Sequence, residues 1–254
     1  MYDIVIIGAG MAGLTAAIYG CRAGKKVLVL EGKVYGGQIM DTLTIENWPG
    51  SYKVSGAKLM KKIRDQAVDL GVEIKLDEAV EIADMGDYKE VVGEDEKYQA
   101  KTVILAMGTE PRRMSEKQTK EAGDRVISYC ATCDGALYKD KPVVVVGSGN
   151  TAKYEIKYLE KIVSKVYHIH HDDPIPDDAV AVFVAIGRVP STQIVRDFVD
   201  MDKDGYIVAG EDCKTSRAGV YVAGDCRTKN IRQLVTAAAD GAVAATNATN
   251  YLNR

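Results

Sequence analysis

Asp3-Ile4-Val5-Ile6-Ile7-Gly8-Ala9-Gly10-Met11-Ala12-Gly13 is the stretch that decides the fold. Its first five residues form a β-branched run with apolar residues on both faces, the signature of a strand buried in a parallel sheet. In Gly8-x-Gly10-x-x-Gly13 the first glycine permits a tight turn, the second lets a pyrophosphate approach the backbone, and the third brings helix against strand. Residues 14–22 read as the helix, Gly24 as its stop, and 26–30 as a second strand that closes on Glu31. Glu31 lies 18 residues past Gly13, where an acid accepts hydrogen bonds from a ribose. Strand, motif, helix and acid in register predict a dinucleotide held at the helix N-terminus. The fingerprint leaves open whether that nucleotide is a nicotinamide or a flavin one.

The pattern recurs. Pro142-Val143-Val144-Val145-Val146 leads into Gly147-Ser148-Gly149-Asn150-Thr151-Ala152, a helix to about 162 and a strand at 165–169. Between the two units the sequence predicts a helix at 56–70, strand pieces at 72–76 and 88–92, and a buried strand at 102–107 that stops at Gly108. Another buried strand at 219–223 leads to Gly224-Asp225, followed by an alanine-rich helix from about 233 to 252. Asp225 would sit at the carboxyl edge of the sheet, where ligands bind in open α/β folds and a carboxylate suits ribityl hydroxyls. Its alternative role is a helix N-cap.

Composition narrows the function classes. The 254 residues are 46% apolar and 27% charged, an ordinary globular balance. Lysine and arginine number 33 against 36 acids, with no basic stripe, so a nucleic-acid partner is not expected. No apolar run approaches the 18 residues of a membrane span. The N-terminal run lacks a basic flank and is broken by Gly8 and Gly10, unlike a signal peptide. A cytoplasmic protein is expected, in a compartment that keeps thiols reduced.

Five cysteines are present, at 21, 130, 133, 213 and 226. Tyr129-Cys130-Ala131-Thr132-Cys133-Asp134-Gly135 carries the sharpest signal. Two thiols at this spacing close a small disulfide loop, and a helix starting there would lower the thiolate pKa. Asp134 is placed to act as a general acid as a thiolate leaves. The competing reading is half of a zinc or iron–sulfur site completed by Cys213 and Cys226. Those two do not form a second Cys-x-x-Cys, which weighs against it. His170 and His171, adjacent in a loop, read as solvated rather than as metal ligands.

Taken together, these residues resemble the low-molecular-weight thioredoxin reductases over most of the chain. The matching motifs are Gly8 to Gly13, Gly36-Gly37-Gln38, Glu46-Asn47-Trp48-Pro49-Gly50, Cys130 to Gly135, Gly147 to Ala152, Phe183-Val184-Ala185-Ile186-Gly187, Ala223-Gly224-Asp225 and Arg232-Gln233. The resemblance implies a homodimeric FAD protein that reduces a thioredoxin through Cys130 and Cys133, with Asp134 as proton donor. It places FAD against Gly8, Gly10, Met11, Ala12, Gly13, Glu31, Gly32, Gly36, Gly37, Gln38, Asn47, Gly108, Gly224, Asp225, Arg232, Gln233 and Leu234. The fold class expected is α/β with two Rossmann-like domains. The FAD domain is discontinuous, 1–110 and 190–254, and a shortened NAD(P)-domain-like redox domain at 111–189 interrupts it.

The shortening matters. Val143 to Gly187 spans 45 residues, and a single βαβ unit already takes about 30, so a second crossover does not fit. Pro174 and Pro176 make the stretch after the 165–169 strand a loop. NADPH-using family members end that strand in a His-Arg-Arg pattern that clamps the 2′-phosphate; this chain has His170-His171-Asp172-Asp173. Asp172, Asp173, Asp177 and Asp178 would repel a phosphate. Gly147-x-Gly149 is then expected to remain only to pack helix on strand, with NADH the surviving nicotinamide candidate. The chain looks similar to a family branch without an NADPH site, which takes electrons from reduced ferredoxin. Lys58, Lys61, Lys62 and Arg64 could steer such an acidic donor, or simply form a solvated helix face. Alternative functions are an NAD(P)H-dependent thioredoxin reductase, and a flavoprotein oxidase or electron carrier with a redox-sensing disulfide.

Overall fold

The computed structural model describes residues 1–254 except 33, 34, 43 and 171, and except the side chain at 41. His171 of the loop therefore lies outside the described residues.

The chain starts with β1 (Tyr2–Ile7), α1 (Met11–Arg22) and β2 (Val27–Glu31). A 3-10 turn at Gly37–Asp41 and α2 (Gly56–Asp69) lead to β3 (Glu73–Leu76), β4 (Ala79–Asp84), β5 (Lys89–Gly93) and β6 (Lys97–Leu105). Next come β7 (Thr109–Pro111), α3 (Glu116–Ala122), β8 (Val126–Ser128), α4 (Ala131–Asp134), β9 (Pro142–Val146), α5 (Asn150–Leu159), β10 (Lys165–Ile169), β11 (Ala181–Val184) and β12 (Arg188–Pro190). The last elements are β13 (Val220–Val222) and α6 (Leu234–Leu252). They form two compact units, one of residues 1–43, 54–110 and 190–254, the other of 44–53 and 111–189. Among the described residues, no helix is long and apolar enough to cross a membrane.

In the first unit β3-β2-β1-β6 run parallel, and β6 serves two neighbours on its far side. Its first half pairs antiparallel with β5, and its second half pairs parallel with β13. The sequence explains the division. Lys97, Gln99 and Lys101 alternate with inward Tyr98 and Ala100, a half-exposed pattern, whereas residues 102–105 are buried without alternation. The strand expected at 102–107 is thus longer at its start and ends at Leu105. Ile4, Val5, Ile6, Leu28 and Ile104 are fully buried, each contributing about 1.5–3 kcal/mol of transfer free energy. On this sheet α6 lies against α1 at small residues: a Cβ on Gly241 would stand 2.2 Å from the Ala12 carbonyl oxygen.

The second unit carries a four-stranded parallel sheet, β10-β9-β11-β8. The βαβ read from the sequence is β9-α5-β10, with α5 ending three residues before the expected 162. From β10 the chain returns to β11 through residues 170–180, in which the described residues form neither helix nor strand, as the prolines required. This return is tied down. Gln118, with no exposed surface, donates from Nε2 to the carbonyls of His170 (3.1 Å) and Asp173 (3.2 Å). Arg125 donates to the carbonyls of Ala179 (2.7 Å) and Asp177 (3.0 Å), and Ile175 is buried among apolar side chains. Four carbonyls of the short path are thus satisfied from α3 and the segment that follows it.

Candidate active site

The first glycine loop divides its labour among three positions. Gly8 has φ +105°, and a Cβ there would lie 2.5 Å from the Ala106 carbonyl oxygen; on Gly13 a Cβ would meet the Gly8 oxygen at 1.9 Å. Both glycines are therefore demanded by packing. Gly10 differs, since a Cβ there would meet nothing within 4 Å. It stands before the first turn of α1, which has no acid and no side-chain cap. Its lack of a side chain leaves a free path to the helix N-terminus, the cradle an anionic pyrophosphate requires.

Other predicted residues gather around this loop within the same unit. Glu31 accepts hydrogen bonds from the N–H groups of Ala9 (2.9 Å) and Gly32 (2.9 Å), bracing both turns. The Gly36 N–H donates to the Ala9 carbonyl (3.1 Å), and a Cβ on Gly37 would be 3.6 Å from the Gly10 Cα. Gly224, φ +84°, abuts Ala12, where an added Cβ would stand 2.9 Å from the alanine methyl. Gln38 donates to Thr109 Oγ1 at 3.4 Å, next to Gly108, which has φ +69° and open space around it. Arg232 donates to the carbonyls of Asp225 and Arg227 and stacks 4.1 Å from the Tyr206 ring centre. Gln233 caps α6 in a reciprocal box with Thr236, and Leu234 opens that helix. Asp225 lies in a turn well before α6, so the N-cap alternative for it is withdrawn. Asn47, exposed, belongs to the other unit.

Sequence reading missed what shapes the Gly224 turn. Asp240 on α6 accepts from the Gly224 N–H (3.0 Å), from Arg227 through Nε (3.0 Å) and Nη2 (2.8 Å), and from Lys229 Nζ (2.7 Å). Burial pushes the Asp240 pKa up, but the two cations hold it below the usual carboxylate range. An Asp in an alanine-rich helix reads as surface until α6 is placed on the sheet.

In the second unit Cys130 and Cys133 are joined as a disulfide with Cα atoms 5.3 Å apart. The expected helix after them is a correction. Only Ala131–Asp134 is α-helical, followed by a 3-10 turn at Gly135–Tyr138. The helix that the spacing suggested is therefore one turn long, with Cys130 at its N-cap. Asp134 is held by Ser128 Oγ at 2.6 Å, and the same hydroxyl accepts from the Cys130 N–H at 3.2 Å. Burial pushes the Asp134 pKa up, opposed by the Ser128 hydrogen bond. Ser128, at the end of β8, thus joins the acid to the cysteine; the short β8 gave no sequence signal. A second unexpected acid, Glu155 on α5, reaches the Ala131 N–H at 3.5 Å.

Cys213 and Cys226, both buried, are not placed for redox work. Burial raises the thiol of Cys226 to about 11 and that of Cys213 to about 12, which keeps both protonated at neutral pH. Their S–H groups face backbone carbonyls of Leu105, Ala223 and Asp240. Among the described residues, no three His, Cys, Asp or Glu side chains converge on a metal-sized space.

The second glycine loop is a partial copy of the first. Gly147 is required, because a Cβ there would lie 2.4 Å from the Ala185 oxygen, whereas Gly149 faces open space and so is not explained by packing. His168 Nε2 donates to the Gly147 carbonyl at 2.6 Å. Asp172, Asp173, Asp177 and Asp178 are all exposed on the return loop.

The sequence pattern of the pyridine nucleotide-disulphide oxidoreductases matches residues 2–178 and 175–241. This chain belongs to that family. It is 35% identical to a thioredoxin reductase of Peptoclostridium acidaminophilum, an alignment that covers 99% of this chain and 97% of that protein. That alignment runs over 306 positions for a chain of 254 residues, so at least 52 (306 less 254) have no counterpart here. The two matched segments of the family pattern meet at 175–178, inside the return loop. The crystal structure of thioredoxin reductase from Streptococcus pyogenes superposes with a TM-score of 0.92 at 32% identity, covering 100% of this chain and 98% of that one. A ferredoxin-flavin thioredoxin reductase from Clostridium acetobutylicum has a TM-score of 0.64 at 28% identity, with 99% and 97% covered. The chain is accordingly an α/β enzyme of the thioredoxin reductase type, a flavin-linked disulfide oxidoreductase with FAD as its cofactor. The open face at Gly10, beside an uncapped helix start, fits that cofactor's pyrophosphate.

Proposed function

We propose that this enzyme reduces the disulfide of a thioredoxin and draws its electrons from a one-electron carrier of the ferredoxin kind rather than from NADPH. The observation that carries the donor assignment is the second unit's return from β10 to β11 through an acidic loop with no crossover helix. The adenosine end of a dinucleotide needs that part of a Rossmann half to bind. Four exposed carboxylates on that loop further disfavour a 2′-phosphate. A relative bearing a ferredoxin-flavin name among the solved structures supports the same reading.

In this proposal Gly10, Met11, Ala12 and Gly13 present the helix start to the pyrophosphate, with Gly8 shaping the turn. Glu31 and Gly32 would face the ribose, and Gly36, Gly37, Gln38, Gly108, Gly224, Asp225, Arg232, Gln233 and Leu234 would line the rest, while Asn47, of the other unit, is assigned to the flavin by the resemblance alone. Bound FAD supplies the electrons that open the Cys130–Cys133 disulfide. Asp134, kept largely from water and oriented by Ser128, is the proton donor to the sulfur released. The dithiol then attacks the partner's disulfide through a mixed disulfide, which the second cysteine resolves. A homodimer is the assembly the resemblance implies.

The test is anaerobic mixing of the oxidised holoenzyme with NADPH, NADH or reduced ferredoxin while flavin absorbance is followed, then thioredoxin turnover with the effective donor. Ferredoxin is expected to bleach the flavin rapidly and to sustain turnover. Fast bleaching by micromolar NADPH would refute the donor assignment.

A further inference from the structure

Glu155 is a carboxyl group that the structure buries and does not satisfy. It lies on the inner face of α5 with Ala152 and Leu159, 7% exposed. Its Oε1 is 3.5 Å from the Ala131 N–H, the amide that follows Cys130 inside the disulfide loop, and its Oε2 is buried with no hydrogen-bond partner. A carboxylate so placed costs free energy that a neutral carboxyl does not.

We propose that Glu155 is a positioning residue for the disulfide, taking up a proton when Cys130–Cys133 is reduced and giving it back on reoxidation. This rests on the reading of these cysteines as the redox pair. The groups around it leave it that role. Asp134, on the same turn as the cysteines, is engaged by Ser128, and Arg188 is the cation acting on Glu155. The adjacent strand β9 offers only proline and valines, while on β10 Lys165 and Tyr167 bond each other and Asp178, and His168 bonds Gly147. Burial pushes Glu155 up to about 7, opposed by the Ala131 N–H and Arg188. A small change in local charge therefore changes its protonation near neutral pH.

The proton balance is explicit. Two electrons break the S–S bond; one sulfur takes a proton and becomes a thiol, and the other remains a thiolate. The new negative charge raises the proton affinity of the adjacent carboxylate, which takes the second proton. Disulfide and carboxylate, with two electrons and two protons, become thiol, thiolate and carboxylic acid. With dithiothreitol as reductant, its two thiols supply both electrons and both protons, and it closes to its cyclic disulfide with no net proton released. With Glu155→Gln the second proton goes to solvent, and the equilibrium constant then rises about tenfold per pH unit.

The experiment equilibrates the holoenzyme anaerobically with dithiothreitol mixtures between about pH 7.5 and pH 8.5, above the titration of Glu155 in the disulfide form. Free thiols are then alkylated, and the Cys130/Cys133 peptide is quantified by mass spectrometry. The wild type and Glu155→Asp are expected to hold a nearly constant equilibrium constant while Glu155→Gln shows the tenfold slope. Equal slopes in wild type and Glu155→Gln overturn the proposal. Should Glu155→Gln not fold, the reduced-minus-oxidised infrared difference spectrum of the wild type decides: a protonated-carboxyl band gained on reduction that shifts in Glu155→Asp supports the proposal, and no such band overturns it. A wild-type pair that dithiothreitol does not reduce at all overturns the underlying redox reading as well, which keeps the two failures distinguishable.

Discussion

Replacing Asp240 with alanine tests how the Gly224 turn is held. The carboxylate is the shared partner of Arg227 and Lys229, with the three side chains 8%, 5% and 6% exposed, and it also accepts the Gly224 N–H. Removing it strands two buried cations and one amide. Breaking a buried pair from one side costs about 3–5 kcal/mol, and the orphaned amide places this case in the upper half of that range. At roughly 2–4 °C per kcal/mol for a chain of this size, the unfolding midpoint should fall by roughly 8–20 °C. The assay is thermal unfolding by circular dichroism, with flavin fluorescence recorded alongside; flavin release should precede global unfolding in the variant. Asp240→Asn keeps the shape and removes the charge, which separates packing from electrostatics. The pH dependence has a definite sign. A carboxyl held below its unfolded pKa contributes fully above that value and loses its contribution as pH falls through the folded one. Wild type should therefore lose this increment below about pH 4, and Asp240→Asn should have none to lose. A midpoint within about 3 °C of wild type, or equal acid sensitivity, would refute the account of the network.

The glycines make a paired prediction: Gly10→Ala should leave the apoprotein's stability unchanged but abolish FAD retention, while Gly149→Ala should affect neither fold nor turnover if no dinucleotide binds there. Gly149→Ala that abolishes turnover would reinstate a nucleotide at the second loop. Gln118→Ala removes two hydrogen bonds from a buried site and should cost about 2–3 kcal/mol, with proteolysis of the 170–180 loop as the readout; an unchanged digestion rate would show that the loop is held otherwise. Ser128→Ala should raise the Asp134 pKa further, moving the alkaline limb of thioredoxin turnover to higher pH, and an unmoved limb would remove Asp134 from the proton step. Cys130→Ser and Cys133→Ser should each abolish thioredoxin reduction while leaving the protein yellow, and retained turnover in both would rule out the disulfide mechanism.

Local information in the chain was enough for the β1-α1-β2 and β9-α5-β10 units, because a strand buried on both faces, a glycine turn and a helix are each written in adjacent residues. The truncation was legible for the same reason: the count from Val143 to Gly187 and two prolines leave no room for a crossover. The disulfide pair, too, is a matter of spacing. Among the elements that escaped, β4, β7, β8, β12 and α3 are short or half-exposed, and their strand or helix character comes from neighbours that pair with them or cover them. The polar groups that escaped share a different cause. Ser128, Glu155, Asp240 and Gln118 sit in segments that read as surface, and only packing turns them inward and sets their partners: a cysteine amide, a buried cation pair or the carbonyls of the return loop. A titratable group's charge is set by what lies within a few ångströms of it. The chain order therefore specified where the nucleotide turn and the cysteines lie, and the tertiary structure alone decided which acids surround them and in what protonation state.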